Sequence, residues 1–138
     1  METEIIKAVR VLGKAIQEDE RYKALLAKRQ IADEDSRVKL IQEQMAELQQ
    51  KYDEEAGKAS PNQLLMEECK QQYQDLFEKA YQLDTMVDYM NASDELDGMM
   101  NEVMQYLYLF MKGEDPDTCK PTPETIQEMQ AQMMGMQQ

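Results

Sequence analysis

Apolar residues recur at steps of three and four along most of this chain. In VKLIQEQMAELQQKY (38–52), Val38, Ile41, Met45, Leu48 and Tyr52 are so spaced among charged and amide residues. At helical periodicity they form one stripe, as narrow as a coiled-coil seam. Earlier in the chain, Thr3 is placed to cap a helix over about 4–17 with Ile5, Val9, Leu12 and Ile16 on one face. EDE (18–20) interrupts it, and a second helix carries Tyr22, Leu25 and Leu26 to about Ile31. Asp33 reads as the N-cap of the helix that holds the quoted stripe, with Glu34 and Asp35 in its first turn and Gly57 ending it after Ala56.

SPNQ (60–63) predicts a fourth helix, with Ser60 as cap, Pro61 in the first turn and Gln63 completing a capping box. Met66, Cys69, Tyr73, Leu76, Ala80, Leu83, Val87 and Met90 then alternate three and four apart. GKAS between two heptad-patterned helices predicts an antiparallel hairpin. About 22 residues against about 30 correspond to about 33 Å against about 45 Å, so the fourth helix overhangs by about two turns. Leu83, Val87 and Met90 therefore need other cover, from the first or fifth helix. NASDEL (91–96) is expected to break the long helix, Asn91 or Ser93 capping a fifth that carries Leu96, Met100, Val103, Leu107 and Phe110. Within it MQYLYLFM (104–111) is apolar on nearly every side, which calls for burial all round.

The expected fold is all-α: a long antiparallel helical hairpin with short N-terminal helices and a C-terminal packing helix. Residues 1–112 form the helical domain, with the hairpin at about 33–90. Residues 113–122 form a polar linker, and 123–138 a Met/Gln-rich tail started by Thr122 and Pro123. A small domain rarely surrounds a terminal helix by itself, so a second subunit is the natural cover. The expected oligomer or partner interface comprises Leu83, Val87, Met90, Val103, Tyr106, Leu107, Tyr108, Phe110 and Met111. The tyrosines join it because they lie off the face that Leu107 and Phe110 serve. In the tail, Ile126, Met129, Met133 and Met136 lie three, four and three apart. They make either a flexible face that docks in a partner groove or a frayed terminus.

Composition narrows the chemistry. Tryptophan is absent, glycine (5) and proline (4) are scarce, and good helix formers dominate, which agrees with an all-helical chain of 138 residues. The net charge of −13 is unevenly spread. Residues 1–60 carry 13 acidic and 11 basic groups, whereas 61–138 carry 15 and 4. Such a surface repels phosphate backbones and anionic lipid, so direct nucleic-acid binding is disfavoured. MQYLYLFM is too short to span a bilayer, so no membrane insertion is expected. The start, METEIIKAVRVLGKAIQ, is charged and amphipathic rather than a signal peptide, and the cytoplasm is the expected compartment.

The absence of histidine removes the commonest general base and metal ligand. No nucleophile elbow, phosphate-binding loop, dinucleotide fingerprint or CxxC is present. Acidic pairs read as solvated helix faces. No enzyme activity, cofactor or metal is expected. Cys69 reads as a small buried hydrophobe on the seam, and Cys119 as an exposed linker thiol that would need sulfur ligands from other chains to hold a cluster.

The order of segments carries a resemblance. EDERYK in the N-terminal helix pair, ADEDSRVKLIQEQMAELQQKY, a long heptad helix and YMNASDELDGMMNEVMQYL together resemble the YlbF/YmcA family of bacterial cell-fate regulators, which includes YheA-type proteins. The likeness covers residues 4 to about 112. It implies a small helical cytoplasmic protein forming homo- or hetero-oligomers and regulating competence, sporulation and biofilm formation, with a link to messenger-RNA processing. Some members carry a cysteine-rich C-terminal segment associated with iron–sulfur binding. Here only Cys119 stands in that region, so the chain departs from that pattern. The functional expectation is a non-enzymatic regulatory adaptor acting on proteins. The alternatives are a chaperone-like or scaffolding coiled coil gripping clients with the Met-rich tail, and a metal or redox sensor using Cys119.

Overall fold

The structure, a computed structural model, describes residues 1–135 in full and the backbone of Met136. The expectation placed on the Met136 side chain lies outside the described residues. Six helices and no strand form among them: α1 (Glu4–Glu18), α2 (Glu20–Glu34), α3 (Ser36–Ala56), α4 (Gln63–Tyr81), α5 (Asp84–Met111) and α6 (Pro123–Met136). The fold is all-α, as its periodicity predicts. Two compact units divide the chain, Met1–Ser93 and Asp94–Gln138, and α5 begins in the first and ends in the second.

In the first unit, α3 and α4 pair as the hairpin. Val38 and Ile41 on α3 and Cys69 on α4 are buried, with Met45, Leu48, Tyr52, Met66, Leu76 and Ala80 half-buried along the same seam. Tyr73 keeps step with that repeat but stays exposed. The turn is tied by a charge: the buried Glu55 carboxylate accepts from the Asn62 N–H at 2.8 Å and from Lys58 Nζ at 2.7 Å. These donors favour the ionised form and hold its pKa below the usual value.

Helix ends show where local signals compete. Thr3 caps α1 as expected, its Oγ1 accepting from the Ile6 N–H. For α3 the cap is Asp35, two residues beyond the expected Asp33, and for α4 it is Asn62 rather than Ser60. Pro61 consequently lies outside α4, and Gln63 is its first residue. The largest correction is the break between α4 and α5. It falls at Gln82–Leu83, and α5 runs unbroken through NASDEL, so Asn91 and Ser93 cap nothing. Without the overhang, α4 with 19 residues matches α3 with 21.

A long-range tie accompanies that break. The Asp35 carboxylate accepts from the Arg37 N–H and guanidinium and, across 50 residues, from the Thr85 hydroxyl at 2.7 Å. Arg37 also reaches Asp84 Oδ1 at 2.7 Å. The start of α5 is thereby fastened to the α2–α3 corner. Mid-helix Asn and Ser cost only a few tenths of a kcal/mol, and Ala92 between them is buried, so their capping preference yields.

In the second unit, α5 ends in a Schellman turn. The Gly113 N–H donates to the Phe110 carbonyl, the Glu114 N–H to that of Leu109, and Gly113 has φ +89°. The linker turns on Asp115, and Thr122 and Thr125 bond reciprocally to start α6.

Two outcomes follow from these ties. Gly113→Ala, forced into the left-handed region, should lower unfolding stability by about 1–2 kcal/mol in urea melts. The Arg37 and Thr85 donors hold Asp35 well below its ordinary value of 3.8, and the Arg37 guanidinium holds Asp84 below it too. Because the folded pKa values are depressed, this stabilisation is present above pH 3.8 and is lost as pH falls through the folded values. Thermal melts should therefore fall steeply in that acid range, and Asp35→Asn should flatten the fall while lowering the midpoint near neutrality.

Candidate protein-interaction surface

The second half of α5 presents two unlike faces. At about 100° per residue, Asn101, Gln105, Tyr108, Leu109 and Lys112 share one side, and α6 lies along it. Asn101 and Gln105 line a cleft of about 240 Å³ with Ile126, Met129 and Met133. Lys112 Nζ meets Glu128 at 2.8 Å, and the Tyr108 hydroxyl donates to the same carboxylate at 3.3 Å. Under this cover Leu109 is only 7% exposed. The covered side is thus largely the polar one.

The apolar side is left open. Leu96, Met100, Val103, Met104, Leu107, Phe110 and Met111 follow one another along it. Leu96 and Val103 are half-buried, but Met104 keeps 52% of its surface, Leu107 43% and Met111 88%. Tyr106 is half-buried at the edge of this face, its ring centroid 6.3 Å from that of Phe110. Acidic groups flank the stripe, Asp97 on one side and Glu95 and Glu102 on the other.

The sequence-derived interface set is therefore divided. Val103, Tyr106, Leu107, Phe110 and Met111 share the open side of α5, whereas Tyr108 turns to α6. Leu83 is half-buried at the helix break, and Val87 and Met90 are exposed early on α5, in the first unit. Of the tail set, Met129 is half-buried, and Ile126 and Met133 remain exposed beside the same cleft. Leu109 was not in the set, because its place in the core depends on α6, which short-range spacing does not reveal.

The first unit is similarly uncovered. α1 buries no residue, and Ile5, Ile6, Val9 and Leu12 are all exposed, Ile5 at 75%. An open groove of about 380 Å³ runs along the hairpin past Leu48, Tyr52, Cys69 and Tyr73, with Lys70 Nζ 5.6 Å from the Tyr52 ring centroid.

Among the described residues no cluster of three or more Cys, Asp or Glu is placed to hold a metal ion. Cys119 is half-buried instead of exposed, lying with Leu109, Lys112 and Thr125 around one hollow, and its N–H donates to the Asp115 carbonyl. Among the described residues no helix is long and apolar enough to cross a membrane.

A family model described as control of competence regulator ComK, YlbF/YmcA, matches residues 5–108. That span takes in α1 to α4 and α5 as far as Tyr108, leaving the linker and α6 outside. No curated protein and no solved structure matches the chain. With the greater part of its length matched, the chain belongs to the YlbF/YmcA family of regulators named for control of competence.

Proposed function

We propose that this protein is a non-enzymatic cytoplasmic adaptor that regulates by binding other proteins through the open face of α5. One observation carries the reading: α6 packs on the polar side of α5 and leaves Met100, Met104, Leu107, Phe110 and Met111 exposed as one stripe. A face of this kind is costly to keep in water unless a partner covers it. Burying each large side chain there is worth about 1.5–3 kcal/mol, so a few of them suffice for a stable complex. The process served would be that of the family, competence control, together with the sporulation, biofilm and RNA-processing roles that its resemblance implies. Regulation of RNA processing would run through a protein partner, since the second unit carries nine acidic and two basic groups.

A second reading has its own support. Ile126, Met133 and Met134 are exposed on α6, a flexible apolar edge of the kind that grips varied clients.

The two readings predict different losses. Leu107→Glu and Phe110→Glu should each abolish partner capture and reduce oligomer mass in light scattering, with helicity by circular dichroism unchanged. Unaltered partner capture and oligomer mass in both variants would contradict the adaptor reading. A double variant, Ile126→Gln with Met133→Gln, keeps Glu128 to hold α6 in place. It should leave partner capture intact, whereas a client-gripping tail would lose its client.

A further inference from the structure

We infer that the partner held on the open face of α5 is a cationic amphipathic helix of another protein, its apolar side on the stripe and its Lys and Arg against the acidic rim. The inference rests on the adaptor reading of that face and names the chemistry of its occupant. The shape of the face selects a helix. Its apolar residues are borne on one convex helix, and no strand forms among the described residues, so an extended peptide finds no sheet edge to join. Laid on Met104, Leu107 and Met111, such a peptide would bury backbone N–H and C=O groups without partners, whereas a helix satisfies its own. The stripe from Leu96 to Met111 is about 22 Å long at 1.5 Å per residue, four turns that a helix of about 15 residues matches. Spacings of three and four along it suit a second helix packed alongside.

Charge then selects among helices. The second unit carries nine acidic and two basic groups, and one of those cations, Lys112, is held by Glu128. Asp97 precedes Met100 and Met104 by three and seven residues and borders their edge of the stripe. Glu102 stands four residues before Tyr106 and Glu95 seven before Glu102, behind the opposite edge. Asp97, Glu95 and Glu102 are all exposed, and none makes an ion pair or a side-chain hydrogen bond among the described residues. Their charge is therefore available to a partner. Three of the seven stripe residues are Met, whose flexible thioethers fit many apolar patterns, so the charged rim rather than close shape sets the choice. An acidic partner helix would be repelled at both edges, and a cationic one is drawn in and oriented.

The test uses the full chain and three fluorescein-labelled peptides of about 18 residues, long enough to cover the stripe. The first has Leu at heptad spacing and Lys elsewhere, the second has Glu for every Lys, and the third holds the Leu and Lys of the first in an order without an apolar face. By fluorescence anisotropy the first should bind at least about tenfold tighter than either of the others. Leu107→Glu should weaken that binding about tenfold or more although it adds a negative charge, because apolar burial is lost. Asp97→Lys with Glu102→Lys should weaken it several-fold and reduce its dependence on salt, at unchanged helicity by circular dichroism. Equal binding of the Glu peptide overturns the charge selection. Equal binding of the faceless peptide, or an affinity untouched by Leu107→Glu, reduces the effect to general attraction and overturns the inference. No binding of the first peptide leaves the face to some other occupant and overturns it too. Partner capture separates the two levels. Capture lost in Leu107→Glu, with no binding of the Lys peptide, removes the cationic helix alone, whereas unaltered capture removes the adaptor reading beneath it.

Discussion

The structure is governed by a shortage of cover. A helix pair can shield one stripe on each member, yet this chain has more apolar stripes than partners for them. The seam of α3 and α4 withdraws Val38, Ile41 and Cys69, and even there no large side chain among the described residues is completely buried. The core is correspondingly thin. Specific polar ties hold the corners, with Glu55 at the hairpin turn and Asp35 at the junction of three helices.

Within that shortage the placement of α6 is decisive. A C-terminal helix carrying Ile126, Met129 and Met133 has the means to cover the apolar stripe of α5, but it lies against Asn101, Gln105 and Lys112 instead. Glu128 finds Lys112, a cation in an acidic segment, and the Tyr108 hydroxyl completes the pair. Lys112 holds the carboxylate ionised, which is why its pKa lies below the ordinary value.

The family assignment fits that physics. The matched residues, 5–108, include both bare stripes, on α1 and on most of the second half of α5. The tail that packs behind α5 lies outside them.

Much of this was readable from residue order alone, because helical periodicity is local. Spacing of three and four marked the seam through Val38 to Tyr52, and Thr3 and Gly57 marked helix ends. Tertiary structure decided what depends on distant atoms. Ser60 and Asn62 are both competent caps, as are Asp33 and Asp35, and surroundings chose between them. The break at Gln82–Leu83 carries no strong local signal, while Asn91 and Ser93 carry one that went unused. The tie from Asp35 to Thr85 and the burial of Ala92 outweigh a capping preference of that size. Glu128 on α6 meets Lys112 on α5, 16 residues away along the chain, a pairing that the apolar pattern of neither helix reveals.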